Sequence, residues 1–214
     1  MATDEALLDR VLQSRGAFLR LYRWDPPTLS IGRNQPLDAI GQRNVPIVRR
    51  PTGGRAVWHE HEVTYAVAAP IAAFGSLRHA YREIHTRIAM ALRSLGIDAV
   101  LAEHRPTVQP SNRLTSCFAQ PAGGEILVNG RKLVGSAQMR RGDAFLQHGS
   151  ILLAGSQRTA GARTGETTLA AVLGRAVTFE ETARAIVANW GASLTRPDRQ
   201  ALRPSDAVAS LAPQ

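Results

Sequence analysis

Ser116-Cys117-Phe118-Ala119-Gln120-Pro121, followed by Glu125-Ile126-Leu127-Val128-Asn129-Gly130-Arg131-Lys132-Leu133-Val134-Gly135-Ser136-Ala137-Gln138, is the stretch that decides how this chain is read. Glu125 to Val128 is a short apolar run. Asn129-Gly130 is a strong hairpin signal, because both residues tolerate positive φ. Lys132 to Met139 is then the returning strand, which puts Lys132 just after a tight turn and fixes it by ladder hydrogen bonds. Cys117 precedes the hairpin, in a loop bounded by Pro110-Ser111-Asn112 and Pro121.

All but one of the 26 basic residues are arginine, and the exception is Lys132; Cys117 is the single cysteine. Coding bias alone leaves one such survivor by chance, so the count by itself decides nothing. The position argues for chemistry. Arginine is a planar fork that stays protonated, whereas lysine is a compact point charge on a flexible stem. A lysine fixed on a strand and facing a cysteine on an adjoining loop lowers the thiol pKa and favours the thiolate, which is the nucleophile.

At 214 residues, with 44% hydrophobic and 20% charged residues, the chain has the composition of one ordinary globular domain. One cysteine cannot close an internal disulfide, which fits a reducing compartment. No apolar run reaches the roughly eighteen residues of a membrane span. Met1-Ala2-Thr3-Asp4-Glu5 also lacks the order of a signal peptide, so a cytoplasmic location is expected. The net charge of +9 raises nucleic acid as a partner. The arginines are scattered, however, with no run longer than two, no zinc-ligand spacing and no RNA-binding aromatic signature. Nucleic acid is therefore not expected, and acidic proteins or phosphate-bearing molecules account for the charge as well.

In chain order, Asp4 to Gln13 reads as a helix with Thr3 as N-cap and Gly16 as its stop. Phe18 to Trp24, Thr28 to Gly32, Val45 to Arg49 and Glu62 to Ala68 read as strands, the third an edge because of Pro46. Leu77 to Leu95 is the clearest helix, with Leu77, Tyr81, Ile84, Ile88, Leu92 and Leu95 on one stripe; His79 and His85 fall off it and are expected in solvent. Val100-Leu101 returns to the sheet, and Ala144 to Leu153 is a strand carrying Gln147-His148-Gly149-Ser150. Thr167 to Leu173 is a short helix. Thr178 to Trp190 is another, with Thr178 and Glu181 spaced as a capping box and Phe179, Ala183, Ile186, Val187 and Trp190 facing inward. Strands in hairpins with helices between them predict an α+β fold, a largely antiparallel or mixed sheet with packed helices. Residues 1–194 are expected to form a single catalytic domain, and residues 195–214 a loosely ordered tail.

A further segment, Arg49-Arg50-Pro51-Thr52-Gly53-Gly54-Arg55-Ala56-Val57-Trp58-His59, places two glycines between short strands. Such a loop lets backbone N–H groups approach a ligand while flanking arginines pair with phosphate. An ordinary hairpin turn explains the same residues, and taken alone it is the stronger reading.

Taken together, the double-glycine segment, Gly130 to Gln138, and Leu146-Gln147-His148-Gly149-Ser150 resemble the lipoate–protein ligase and octanoyltransferase family. Asp4-Glu5-Ala6-Leu7-Leu8 and Pro26-Pro27-Thr28-Leu29-Ser30-Ile31-Gly32 are also similar to it, so the resemblance spans residues 3 to 190 in one order. It implies the catalytic-domain fold of biotin and lipoate protein ligases. It also implies a tunnel for an eight-carbon acyl chain, walled by Arg50, Thr52, Gly53, Gly54, Arg55, Ala56, Gly135, Ser136, Ala137, His148 and Gly149. The Ser-Cys-Phe-x-x-Pro context of Cys117 is similar to the LipM-type branch of octanoyltransferases, in which the cysteine precedes the lysine. That likeness implies Cys117 and Lys132 as the catalytic pair and octanoyl transfer from octanoyl-acyl carrier protein to a lipoyl domain, with no metal and no cofactor. The alternatives are an ATP- and Mg-dependent lipoate–protein ligase, an amidotransferase between lipoyl domains, and a basic binding module with an inactive site. Two features depart from the family: Gly123-Gly124 stands where bulkier residues are usual, and the chain opens at what resembles the family's first helix.

Overall fold

Two periodicities organise the molecule: alternation along its strands, which sorts side chains to opposite faces of a sheet, and the helical stripes that cover those faces. In the computed structural model the described residues are 1–37, 44–103, 123–161, 165–190, 194–195 and 207–211, the last two groups as backbone. The elements are α1 (Ala2–Ser14), β1 (Ala17–Tyr22), β2 (Thr28–Ile31), β3 (Ile47–Arg49), β4 (Val57–His59), β5 (Glu62–Pro70), α2 (Leu77–Ser94), β6 (Val100–Leu101), β7 (Ile126–Val128), β8 (Arg131–Arg141), β9 (Ala144–Leu152), α3 (Leu169–Leu173), α4 (Phe179–Ala188), β10 (Leu194–Thr195) and β11 (Ala207–Leu211).

The large sheet runs β10-β11-β1-β5-β9-β8-β7-β6, and its neighbours pair antiparallel throughout. A smaller sheet, β3-β2-β4, pairs β2 with β3 in parallel and with β4 antiparallel. β3 lies at its edge, as Pro46 predicts. This is the expected α+β architecture.

Strand alternation divides the core. Leu19, Leu21, Val63, Tyr65 and Val67 meet Ile84, Ile88 and Leu92 of α2 and Ile186 of α4 on one face. On the other, Phe18, Tyr22, Ala66, Ala68 and Leu146 meet Leu7, Leu8 and Val11 of α1. Each such aliphatic side chain contributes roughly 1.5–3 kcal/mol when fully buried. The central strands β5 and β9 are covered on both faces, so side chains on either face are desolvated.

Several local expectations need correction. The first helix takes in Thr3; its N-cap is Met1, and it ends on Arg15 in the left-handed region rather than on Gly16. Along α4 and just beyond it, Phe179, Ala183, Ile186 and Trp190 face the core as expected and Thr182 joins them, but Val187 is 40% exposed. His85 is fully buried, not in solvent, because Gly124 and Ser136 offer its ring two partners inside the core. At Ala207–Leu211 the backbone of the expected tail forms a strand beside β1.

The β7–β8 hairpin places the lysine. Asn129 and Gly130 both have positive φ, at 50° and 73°, as a two-residue turn between twisted strands requires. One step along β7, from Ile126 to Leu127, spans two along β8, from Val134 to Lys132. This bulge re-aims side chains next to the turn. The Lys132 main chain is also held outside the hairpin: its N–H donates to the Gly165 carbonyl at 2.9 Å, and its carbonyl accepts from Thr167 N at 2.9 Å.

Candidate active site

A cleft with about 320 Å³ of empty space lies where β8 and β9 of the large sheet face the double-glycine loop and β4 of the small one. Arg50, Gly135, Ser136, Ala137, His148 and Gly149 line it, joined by Val57, His59, Thr64 and Ser150.

Arg50 builds the loop from beneath. Its guanidinium donates to the Ser30 carbonyl at 3.0 Å, Ser30 Oγ at 2.7 Å, the Gly53 carbonyl at 3.2 Å and the Arg55 carbonyl at 2.8 Å. A planar fork can reach acceptors on a strand and a loop at once, and lysine cannot. Gly54 adopts φ 90°, and its carbonyl presses so close to Gly32 that a Cβ there would lie 2.0 Å from it. The double glycine thus shapes a loop clasped on β2. Ala56 is buried among Leu29, Ile31 and Ala160 in the core of the small sheet and does not line the cleft.

Three histidines repeat one arrangement, each placed between a hydroxyl and a carboxylate or carbonyl acceptor. Thr52 Oγ1 lies 2.6 Å from His148 Nε2, and His148 Nδ1 lies 3.4 Å from Asp4 Oδ2. Ser30 Oγ lies 2.5 Å from His59 Nε2, and His59 Nδ1 lies 2.6 Å from Glu62 Oε1. Ser136 Oγ lies 2.8 Å from His85 Nε2, and His85 Nδ1 lies 2.7 Å from the Gly124 carbonyl. Carboxylates and carbonyls only accept, so Nδ1 carries a proton in each ring; in His85 and His148, both held toward the neutral form, Nε2 takes the hydroxyl hydrogen.

The surroundings set the charges. Burial pushes His148 down, Asp4 opposes this, and Arg50 and His59 add to it. Burial alone would raise Asp4, but its hydrogen bond with His148 and the Arg20 guanidinium hold it below the usual carboxylate value. Arg20 donates to Asp4 Oδ1 at 2.6 Å and Tyr22 donates to Oδ2 at 2.9 Å. Burial, assisted by Lys132 and opposed by the Gly124 carbonyl, brings His85 down to about 4. Glu62 Oε1 also accepts from Ser150 Oγ at 3.1 Å and from Thr64, while its Oε2 has no partner among the described residues.

Lys132 is 2% exposed, and its ammonium donates to Glu125 Oε1 at 2.7 Å. Glu125 is equally buried, which keeps the pair intact: each charge alone would face the desolvation penalty of the interior. Lys132 stands outside the cleft lining, three residues before Gly135 on the strand that forms one wall.

Cys117 lies outside the described residues. The structure brings Arg50, Gly135, Ser136, Ala137, His148 and Gly149 to one cleft, with Thr52 behind it on His148, while Gly53 and Arg55 present carbonyls to Arg50. Sequence reasoning did not find Asp4, Ser30, His59, Glu62, Tyr65, His85 or Glu125. One signal was available: Arg20 in a strand with apolar neighbours needs a buried anion, and Asp4 is the first acid in the chain.

Residues 1–191 match the family of lipoyl protein ligase A/B catalytic domains. The octanoyltransferase LipM of Kyrpidia tusciae is 46% identical over 170 residues, covering 72% of this chain and 61% of its own length. That of Carboxydothermus hydrogenoformans is 42% identical over 163 residues, covering 72% and 60%. The chain therefore spans less than two thirds of these two relatives' length. The LipM of Symbiobacterium thermophilum is 36% identical over 224 residues, covering 91% of this chain and 81% of its own. Among solved structures, lipoate-protein ligase A bound with ATP is similar with a TM-score of 0.70 at 23% identity, covering 88% of this chain and 77% of that one. The bi-partite lipoate protein ligase of Thermoplasma acidophilum gives 0.62 at 20%, covering 88% and 75%. At those identities the likeness is one of fold. The fold and the match over nearly its whole length agree: the chain belongs to the lipoyl protein ligase A/B catalytic-domain family.

Proposed function

We propose that the protein transfers an octanoyl group from octanoyl-acyl carrier protein to a lysine of a lipoyl domain, such as the glycine cleavage H protein, through a thioester on Cys117. In the first step the Cys117 thiolate attacks the carrier thioester carbonyl, and the carrier thiolate leaves. In the second the neutral amine of the acceptor lysine attacks the Cys117 thioester. An amide forms, the amine gives up a proton, and Cys117 leaves as thiolate. Lys132 stabilises the thiolate and the oxyanion of each tetrahedral intermediate, and Glu125 keeps the ammonium aimed. This sequence draws on no metal and no cofactor. We place it in the cytoplasm, where carrier and acceptor proteins meet the enzyme, and assign the net charge of +9 to steering acidic partners.

The observation that carries this reading is a desolvated lysine, unique in the chain, fixed by a buried carboxylate at the head of the strand that walls the cleft. The similarity to octanoyltransferases supports it independently. Mass spectrometry of the intact protein after incubation with octanoyl-acyl carrier protein tests it. A hydroxylamine-labile gain of one octanoyl group is expected, absent in Cys117→Ser. No adduct, together with ATP-dependent attachment of free octanoate or lipoate, would establish the ligase instead. A requirement for an octanoylated lipoyl domain as donor would establish the amidotransferase.

A further inference from the structure

Behind the cleft wall at Ser136 runs a chain of hydrogen bonds in which two hydroxyls share one histidine nitrogen. Gln138 Nε2 donates to Gln147 Oε1 at 3.2 Å, which turns Gln147 Nε2 toward Tyr65 OH, also at 3.2 Å. The Tyr65 hydroxyl lies 2.7 Å from Ser136 Oγ and 3.1 Å from His85 Nε2, and Ser136 Oγ lies 2.8 Å from the same Nε2. His85 Nδ1 donates to the Gly124 carbonyl, so Nε2 offers a single lone pair to two hydroxyl groups.

Either hydroxyl satisfies it. When Ser136 donates to His85, Tyr65 donates to Ser136 Oγ. When Tyr65 donates to His85, the Ser136 hydrogen is released. Tyr65 is fully buried and Ser136 lines the cleft, so only Ser136 can redirect its hydrogen to a ligand. Gly149 keeps this corner tight: a Cβ there would lie 2.4 Å from Ser136 Oγ and 2.7 Å from the Tyr65 ring.

We propose that the Ser136 hydroxyl is a switchable donor to the carbonyl oxygen of a thioester bound in the cleft, with Tyr65 and His85 as positioning residues that exchange partners when it turns. The proposal rests on the acyl-transfer reading, since it takes an acyl thioester as ligand. No covalent bond changes in the switch. The Ser136 O–H rotates from His85 to the substrate oxygen, and the Tyr65 O–H rotates from Ser136 to His85. The new bond strengthens as the carbonyl becomes an oxyanion, and no buried acceptor is left bare. His85 Nε2 stays an acceptor across neutral pH because burial, assisted by Lys132 and opposed by the Gly124 carbonyl, favours the neutral ring; Tyr81 packs against that ring with centroids 4.3 Å apart, and the Tyr65 and Ser136 hydroxyls face it.

Two measurements on the full chain test this. With octanoyl-acyl carrier protein as donor, Ser136→Ala should lower kcat by about ten- to a hundredfold with KM changed by less than about threefold, as for a donor engaged mainly in the transition state. Tyr65→Phe should lower kcat by several-fold, and the double variant should lose no more than Ser136→Ala alone. Additive losses, or an unchanged kcat in Ser136→Ala, would overturn the switch. The second measurement needs no turnover. The carbonyl band of bound octanoyl-coenzyme A, labelled with ¹³C at C1, should lie at lower frequency in the wild type than in Ser136→Ala. Equal bands overturn the proposal. A Ser136-dependent band in a protein that transfers nothing would leave the donor standing and remove the transfer reading alone.

Discussion

Lys132 Nζ, on the second strand of the hairpin, lies 2.7 Å from Oε1 of Glu125, the residue just before the first, and neither residue is more than 2% exposed. Removing one member of such a pair strands a buried charge, whereas replacing both by apolar groups does not. Glu125→Gln should therefore cost about 3–5 kcal/mol in urea unfolding. The double variant Glu125→Gln/Lys132→Met should regain more than half of that without regaining transfer. If the double variant is as unstable as the single one, the pair is not what Glu125 contributes.

A second prediction concerns the identity of the cation. Arginine serves at every other basic position, but its longer planar head cannot take the place of a compact ammonium buried 2.7 Å from Glu125. Lys132→Arg should lower transfer by about a hundredfold or more, nearly as far as Lys132→Ala. Rates of thiol alkylation against pH supply the mechanism: the wild-type Cys117 pKa should fall below the reference of about 8.5, and Lys132→Ala should raise it. Near-normal transfer in the Arg variant would show that charge alone suffices.

His85 makes a prediction about acid. Its folded pKa of about 4 lies below the unfolded reference of about 6.5, so the unfolded chain takes up this proton first. Stability is full above about pH 6.5 and is lost as pH falls toward 4, by roughly 3 kcal/mol from this residue. His148, also shifted down, acts in the same direction, whereas the depressed Asp4 contributes only at lower pH. Unfolding free energies between pH 7.5 and 4.5 should fall steeply in the wild type and less steeply in His85→Gln. Equal slopes would mean that the ring is not held neutral.

Charge steering gives the fourth. If the positive charge guides acidic partners, kcat/KM should fall steeply above physiological salt, where the screening length is about 8 Å, while kcat changes little. A flat kcat/KM profile would leave the arginines without this role.

The sequence revealed elements wherever one physical signal dominated. The Asn129-Gly130 turn, the stripe of α2 and the Thr178 cap of α4 are local, and each appears where its residues predict it. The polar partners were hidden because they are joined by the sheet and not by spacing. Tyr65 and Ser136 are 71 positions apart, and Asp4 and His148 are 144 apart. A histidine off the apolar stripe reads as solvated until the facing strand supplies its acceptors, which is why His85 was misplaced. The cleft side of Gly135 to Ala137 was legible from motif alone, whereas Glu125, at the end of an apolar run, gave no sign that it would pair with Lys132.

The strand at Ala207–Leu211 bears on what happens when the chain is shortened. It occupies the side of β1 away from β5, so the row of N–H and C=O groups on β1 is paired on both flanks. Cutting before residue 207 would turn β1 into an open edge whose side chains from Phe18 to Tyr22 are buried on both faces. Edges of that kind recruit strands from other molecules. The shortened protein should keep its cleft residues and yet self-associate more than the full chain, so the strand at Ala207–Leu211 acts on self-association rather than on chemistry.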